Sequence, residues 1–380
     1  MNMVRSPILG ANPFKLGIFR MNCAGGLAIT RAPERWRAEW DDIAAAARIA
    51  DEAGLELILP LARWRGYGGS SDYAAWSYET LTHGAALAAI TERIGIFVTV
   101  HVPLVHPLFA AKAVATIDHV SHGRVGLNIV CGWNKDEFDM FGVKLVDHDE
   151  RYDQGYEWFD VFSRLVSGQR FDHAGRFYSL KDAYLLPTTV QQPRPITLSA
   201  GGSPKGRAFA AATADYFFAV VSDLEQARHL VAEVQRDAVA TGGRASVFTI
   251  SHVVCRDTQK EAEEYYDYFA GRMADDEAID NWTGAKQRTS QSFPPDALAK
   301  RKRLAGGHSS YPLVGTPDRI ADEILGLHRA GISGTTLSFL DFKEELPYFV
   351  AHVLPRLEQA GLRSPVSPAH KAKGSIGQAA

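Results

Sequence analysis

Between Ala115 and Phe138 the chain runs ATIDHVSHGRVGLNIVCGWNKDEF, and within its apolar stretch RVGLNIV one side chain can do chemistry, that of Asn128. A buried amide must find hydrogen-bond partners or weaken the fold. Near the C-terminal end of a buried strand it is either a satisfied core residue or a ligand contact. Other strand-like segments end in similar polar interruptions. Asn22, Cys23, Gly25 and Gly26 follow the segment 16–21, and Ala62, Arg63, Trp64, Arg65, Gly66, Tyr67, Gly68 and Gly69 follow 55–61. Thr99 and His101 close 94–100, and Cys131, Trp133 and Glu137 follow 125–130. Apolar lining, aromatic rings, amides and hydroxyls together suit a flat heteroaromatic ligand better than a small ion.

The run SAGGSPKG, Ser199 to Gly206, has the composition of an anion site. Gly201 and Gly202 let the backbone approach closely, Ser203 can cap the following helix, and the free N–H groups there attract phosphate. A plain glycine turn with a serine cap fits the same residues. Arg151 and Tyr152, at the start of another helix, offer a second phosphate or ring contact; the alternative is a surface ion pair of Arg151 with Asp149 or Glu150. His119 with His122, and His101 with His106, form only isolated pairs, without an HExxH or a His/carboxylate triad, so no metal is expected. Cys23 and Cys131 read as small buried thiols. A GxSxG elbow and a Walker motif are both absent from the sequence.

The elements that must position these groups alternate in type. Strand-like segments at 16–21, 55–61, 94–100, 125–130, 195–200, 215–220, 246–255 and 334–339 are separated by helical ones, the second of them over 73–91. Short apolar strands alternating with helices predict an α/β fold, a (β/α)8 TIM barrel, whose site lies at the C-terminal strand ends. An open doubly wound sheet is disfavoured because a first-turn GxGxxG is missing. Two insertions are expected: a hairpin over 171–185, after the fourth helix (150–166), and a long mobile loop near 275–312, rich in Gly, Ser, Lys and Arg. One domain is expected over 14–362, with disordered tails at 1–13 and 363–380. The 380 residues are 46% hydrophobic and 22% charged, with net charge −3, which speaks against nucleic acid or an anionic membrane as partner. The three widely spaced cysteines make no disulfide framework, the N-terminus lacks a signal-like apolar run, and no stretch is long enough to span a bilayer, so a cytoplasmic location is expected.

Several motifs carry a family resemblance: GGLAITR (Gly25 to Arg31), RGYGG (Arg65 to Gly69), AAITERI (Ala88 to Ile94), and KAVATIDHVSHGRVGLNIVCGWNKDEF (Lys112 to Phe138). HDERYD (His148 to Asp153), HAGRFYSL (His173 to Leu180), SAGGSP (Ser199 to Pro204), LVGTPDRIADEI (Leu313 to Ile324) and FKEELPYF (Phe342 to Phe349) continue them. With these the chain resembles the bacterial-luciferase-like two-component flavin monooxygenases, nearest the dimethyl sulfone, alkanesulfonate and pyrimidine (uracil) monooxygenase group. The resemblance implies FMN, used as FMNH2, with dioxygen as co-substrate. It implies flavin contacts at Ala62, Arg63, Asn128, Glu137, Arg151, Tyr152 and Ser203, beside the phosphate loop of Gly201 and Gly202. It also implies a dioxygen pocket at Leu59, Leu61, Thr99 and Asn128. The implied reaction is oxidative C–S cleavage of a sulfone or sulfonate. The alternatives are ring opening of a pyrimidine or heterocyclic amide through a flavin peroxide, and an F420-dependent oxidoreductase on the same fold. A separate NAD(P)H-dependent flavin reductase, a small-molecule substrate and a homodimer or homotetramer complete the expectation, with the 275–312 segment as a lid against water.

Overall fold

The computed structural model describes residues 6–242, 246–289 and 301–366. Its strands are β1 (Lys15–Phe19), β2 (Leu57–Leu59), β3 (Gly95–His101), β4 (Val125–Val130), β5 (Phe171–Ala174), β6 (Ser179–Ala183), β7 (Ile196–Ser199), β8 (Tyr216–Phe218), β9 (Ser246–Cys255), β10 (Tyr311–Gly315) and β11 (Gly334–Ser338). The helices are α1 (Trp40–Glu52), α2 (Thr80–Ile90), α3 (Pro107–Val120), α4 (Lys135–Met140), α5 (His148–Val166), α6 (Pro204–Thr213), α7 (Leu224–Thr241), α8 (Gln259–Asp267), α9 (Asp276–Thr289), α10 (Arg301–Gly307), α11 (Pro317–Arg329), α12 (Phe342–His352) and α13 (Leu354–Gln359).

β5 and β6 pair antiparallel as the expected hairpin. The other strands form one parallel sheet in the order β10-β9-β11-β1-β2-β3-β4-β7-β8, and pairing of β8 with β9 closes it into a barrel of eight strands. β10 stands outside that ring. It pairs with Ser251–Cys255 of β9, beyond Phe248, where the short β8 ends with Phe218.

Burial on both faces explains the strands. All seven residues of β3 are buried. Ile96, Val98 and Val100 join Leu127, Ile129, Val114 and Phe162 in the layer between barrel and helices. Phe97 joins Phe19, Leu57, Leu59, Leu198, Phe218 and Phe248 in a separate cluster inside the barrel. Such alternation is what a parallel sheet dry on both faces requires. Inward glycines make room for these large side chains. A methyl group at Gly126 would lie 2.5 Å from the Phe97 ring, and one at Gly334 would lie 2.5 Å from the Phe248 ring. At the entrance to β4, the buried Arg124 donates to the carbonyls of Ala88, Thr91, Ile94 and Ser121, joining the end of α2 to two strand starts.

Four expectations are corrected. The 275–312 segment is not a long loop in its described part: it holds α9, α10 and the start of β10, while 290–300 lie outside the described residues. Ala278, Ile279, Trp282 and Ala285 recur at helical spacing and bury one face of α9, which outweighs its polar composition. The strand β10 was not anticipated. The helix expected from 73 begins at Thr80, because Asp72 and Ala74 adopt positive φ and Glu79 caps the first turn by accepting from the Leu81 and Thr82 N–H groups. The described parts of both tails are docked. Ile8 is 1% exposed within the inner cluster, and Arg363 forms a buried 3.2 Å ion pair with Glu56. Residues 1–5 and 367–380 lie outside the described residues. Among the described residues no helix is long and apolar enough to cross a membrane.

Gly126→Ala should destabilise the protein by about 1–3 kcal/mol through overpacking against Phe97. The urea midpoint reads this, and adding Phe97→Leu should recover most of the loss. A midpoint unchanged by Gly126→Ala alone would contradict the interlocked interior.

Candidate active site

The strand ends expected to carry chemistry converge on one end of the barrel. Thr99 and Asn128 are direct register partners on β3 and β4. The Asn128 Nδ2 donates to Thr99 Oγ1 at 3.2 Å, and Thr99 Oγ1 donates to the Pro60 carbonyl at 2.7 Å. A hydroxyl has one hydrogen. With it committed to Pro60, Thr99 can only accept from Asn128, which fixes the amide with its NH2 toward Thr99. The Asn128 Oδ1 is buried and has no partner among the described residues. An unpaired buried acceptor costs about 1–3 kcal/mol, so this atom is free to accept from a ligand N–H or O–H. Leu59 lies inside the barrel in the cluster beneath, and Leu61 is half-buried at the mouth, against the Tyr67 and Tyr73 cluster.

Arg63 and Glu137 meet at the same mouth. One carboxylate oxygen, Glu137 Oε1, accepts from Arg63 Nη1 at 2.8 Å, from the Trp64 N–H at 2.9 Å and from the Arg65 N–H at 3.4 Å. Glu137 thereby holds the turn after β2, and the buried Ala62 lies at its start. The Arg63 guanidinium lies 5.2 Å from the Tyr67 ring centre and 5.5 Å from that of Trp133, with Nε unpartnered. His101 Nδ1 is also buried and unpartnered. Burial lowers this imidazole to about 4, so it is neutral at neutral pH. Asn22, by contrast, is structural: its amide braces both the N–H and the carbonyl of Leu61 and the carbonyl of Tyr78.

On the far side of the barrel, the turn after β7 leads into α6. Ser203 caps this helix by accepting from the Gly206 N–H at 3.1 Å. A methyl group at Gly201 would lie 2.8 Å from the Tyr152 hydroxyl, and one at Gly206 would lie 2.5 Å from it, so Tyr152 sits in the crook of the loop. Gly202 is exposed at its rim. Arg151 makes no surface ion pair: it is buried, Nη1 donates to the Gly132 carbonyl, and Nε is unpartnered, while Asp149 is taken by His148. The α6 N-terminus, with Tyr152 against its loop, and the buried Arg151 one residue away along α5 offer the kind of donors that attract an anion.

α9 and α10 roof the mouth. Asp275 accepts from the Ser71 N–H at 2.6 Å, and Asn281 donates to the Tyr67 carbonyl at 2.9 Å, bolting the RGYGG loop to α9. Lys286 turns inward, 3.6 Å over the Trp133 ring. Burial, then the charges of Arg63 and Arg20, lower its ammonium to about 7. Other described cations of the segment are engaged, Arg301 with Asp276 and Asp280, Lys302 with Asp267, Arg288 with Asp136, and Arg303 with the Ser222 carbonyl, while Lys300 lies outside the described residues. Arg20, Tyr73 and His308 also lie at the mouth and were not expected there. Arg20 is a polar residue at the end of an apolar strand, as Asn128 is near the end of another, so that signal was available. Tyr73 and His308 reach the mouth only through tertiary packing. Cys131 is a buried thiol that burial pushes far up, unsuited to nucleophilic work. Among the described residues no three His, Cys, Asp or Glu side chains group to hold a metal.

Comparison with known proteins agrees with this architecture. The chain is 29% identical over 357 residues to the FMNH2-dependent dimethylsulfone monooxygenase of Pseudomonas putida, covering 92% of this chain and 96% of that protein. It is 29% identical over 359 residues to the pyrimidine monooxygenase RutA of Bradyrhizobium sp., covering 92% and 98%. The crystal structure of DmoA from Hyphomicrobium sulfonivorans superposes with a TM-score of 0.81 at 21% identity, covering 94% and 90%. The family model for luciferase-like monooxygenases matches residues 14–334. The chain belongs to the luciferase-like monooxygenase family.

Proposed function

We propose that the protein is an FMNH2-dependent monooxygenase whose flavin ring lies over Asn128 and whose flavin phosphate lies at Ser203, Arg151 and Tyr152. The observation that carries this reading is the set of buried, unpartnered polar atoms around one mouth: Asn128 Oδ1, Arg63 Nε, His101 Nδ1 and Arg151 Nε. A flat ring rich in N–H and C=O groups at one end and a phosphate at the other satisfies donors and acceptors of both kinds. Reduced flavin supplies the two electrons that split dioxygen, one atom entering the substrate and the other leaving as water.

The chain's own contribution is positioning and exclusion of water. Asn128 and Thr99 offer an amide and a hydroxyl above the apolar Leu59 and Leu61, a niche suited to dioxygen. Thr99 has given its hydrogen to Pro60, so the Asn128 Nδ2 hydrogen not given to Thr99 is the donor available to negative charge developing there. Glu137 orients Arg63, and α9 with α10 keeps water out. The substrate reading is C–S cleavage of a small sulfone or sulfonate, supported by similarity to the dimethylsulfone enzyme. Pyrimidine ring opening is the second reading, supported by RutA at equal identity. Electrons come from a separate flavin reductase, and the protein assembles as a dimer or tetramer.

Ser203→Ala and Arg151→Met should each weaken FMN binding by about 1–3 kcal/mol, the loss of a charge-assisted hydrogen bond, as read by fluorescence titration. Wild-type affinity in both variants would remove the phosphate assignment. Asn128→Ala should retain FMN but divert dioxygen consumption to free hydrogen peroxide; wild-type coupling of dioxygen to product would count against its role. The reaction itself is read by mass spectrometry after turnover with a flavin reductase and isotopic dioxygen, across sulfones, sulfonates and uracil-like rings. One labelled oxygen atom per product is expected. Turnover without label would disprove monooxygenation.

A further inference from the structure

Arg20 follows β1 with a φ of 63° and is only 3% exposed. Among the described residues no carboxylate pairs with it. Its Nε has no partner, and its guanidinium carbon lies 5.3 Å from the Tyr73 ring centre. Arg20 Nη1 lies 3.3 Å from His308 Nδ1, and His308 Nε2 lies 2.7 Å from the Tyr73 hydroxyl, itself 3.0 Å from the Gly26 carbonyl. Only one proton arrangement satisfies this chain. Arg20 donates to Nδ1, His308 donates from Nε2 to Tyr73, and Tyr73 donates to Gly26. His308 is therefore neutral and leaves the charge of Arg20 uncompensated.

A buried, unpaired cation is strongly destabilising unless an anion arrives. The neighbourhood deepens the imbalance. Arg63 is matched by Glu137, but Lys286 adds a further cation close enough to feel both arginines. The flavin phosphate cannot supply the missing charge. In the barrel order β1-β2-β3-β4-β7, the phosphate loop after β7 is four strands from β1, across the ring of eight. Arg20 therefore faces the opposite side of the mouth, under the α9–α10 roof, where Trp282 packs 4.7 Å from the His308 ring.

We propose that Arg20 anchors a second anion subsite, which takes the acid group of a small organic carboxylate or sulfonate as the enzyme's substrate. His308 and Tyr73 are its positioning residues. The subsite rests on the flavin reading above and narrows it: the substrate is an organic acid rather than a neutral sulfone.

The test uses the FMN-loaded protein and three probes of matched size: benzenesulfonate, benzoate and methyl phenyl sulfone, titrated by calorimetry. Either or both acids should bind about tenfold or more tightly than the neutral sulfone, the strength of one charged hydrogen bond. The stronger acid identifies the head group. Arg20→Gln should erase that preference with FMN affinity unchanged, and Arg20→Lys should keep part of it. Equal binding of acids and sulfone to the wild type overturns the proposal, whatever becomes of the variants. So does a preference that survives Arg20→Gln. If Arg20→Gln instead weakens FMNH2 binding while the acid preference stays, the missing anion is the reduced ring, and the substrate assignment falls. Failure of the wild type to bind FMN at all would sink the flavin reading separately, since the acids can also be titrated against the protein without FMN.

Discussion

A single hydrogen on Thr99 sets the chemistry of the barrel mouth. Because it is committed to the Pro60 carbonyl, Asn128 must present its NH2 to Thr99 and its carbonyl oxygen to the cavity. The apolar interior below makes that choice matter. Leu59, Phe97 and Leu198 leave no water-accessible layer under the amide, so its free oxygen has to be met from above. The glycines that admit Phe97 and Phe248 keep this interior closed, and the closed interior turns one unpaired oxygen into a binding determinant.

Charge is arranged around the same mouth with little redundancy. Glu137 spends one oxygen on three donors, which fixes the turn carrying Arg63. Arg151 and Arg20 stand on opposite sides of the ring, and among the described residues neither forms an ion pair with a carboxylate, although Asp147 lies near enough to Arg151 to act on its charge. Two separated guanidinium groups without ion pairs are suited to two separated anions; the proposed flavin phosphate would answer one, and the proposed acid group of the substrate the other. The roof of α9 and α10 raises the strength of every such interaction by keeping the dielectric low.

Much of the barrel was legible because parallel strands buried on both faces leave continuous apolar runs, and β3, β4 and β9 fell where those runs predicted. Asn128 stood out because it interrupted one of them. The α9 helix was hidden by its composition: Lys286, Arg288 and their neighbours made it read as a solvated loop, although Ala278, Ile279, Trp282 and Ala285 already marked one face. β10 was missed because it is short, contains Pro312 and follows the Gly-Gly-His-Ser-Ser run that reads as a loop. Pairings such as Arg63 with Glu137 and Tyr73 with His308 join residues far apart in the chain, and only the closed ring brings them together. Nothing local in the sequence tells that Lys286 turns inward over Trp133.

The central claim is that one mouth of the barrel holds a flavin with its ring over Asn128 and its phosphate at the α6 N-terminus. A crystal structure of the protein grown with FMN tests it most directly. The account predicts ring density within hydrogen-bond reach of Asn128 Oδ1 and phosphate density at Ser203 and Arg151. FMN bound elsewhere, or a mouth that stays closed to it at saturating FMN, would contradict it.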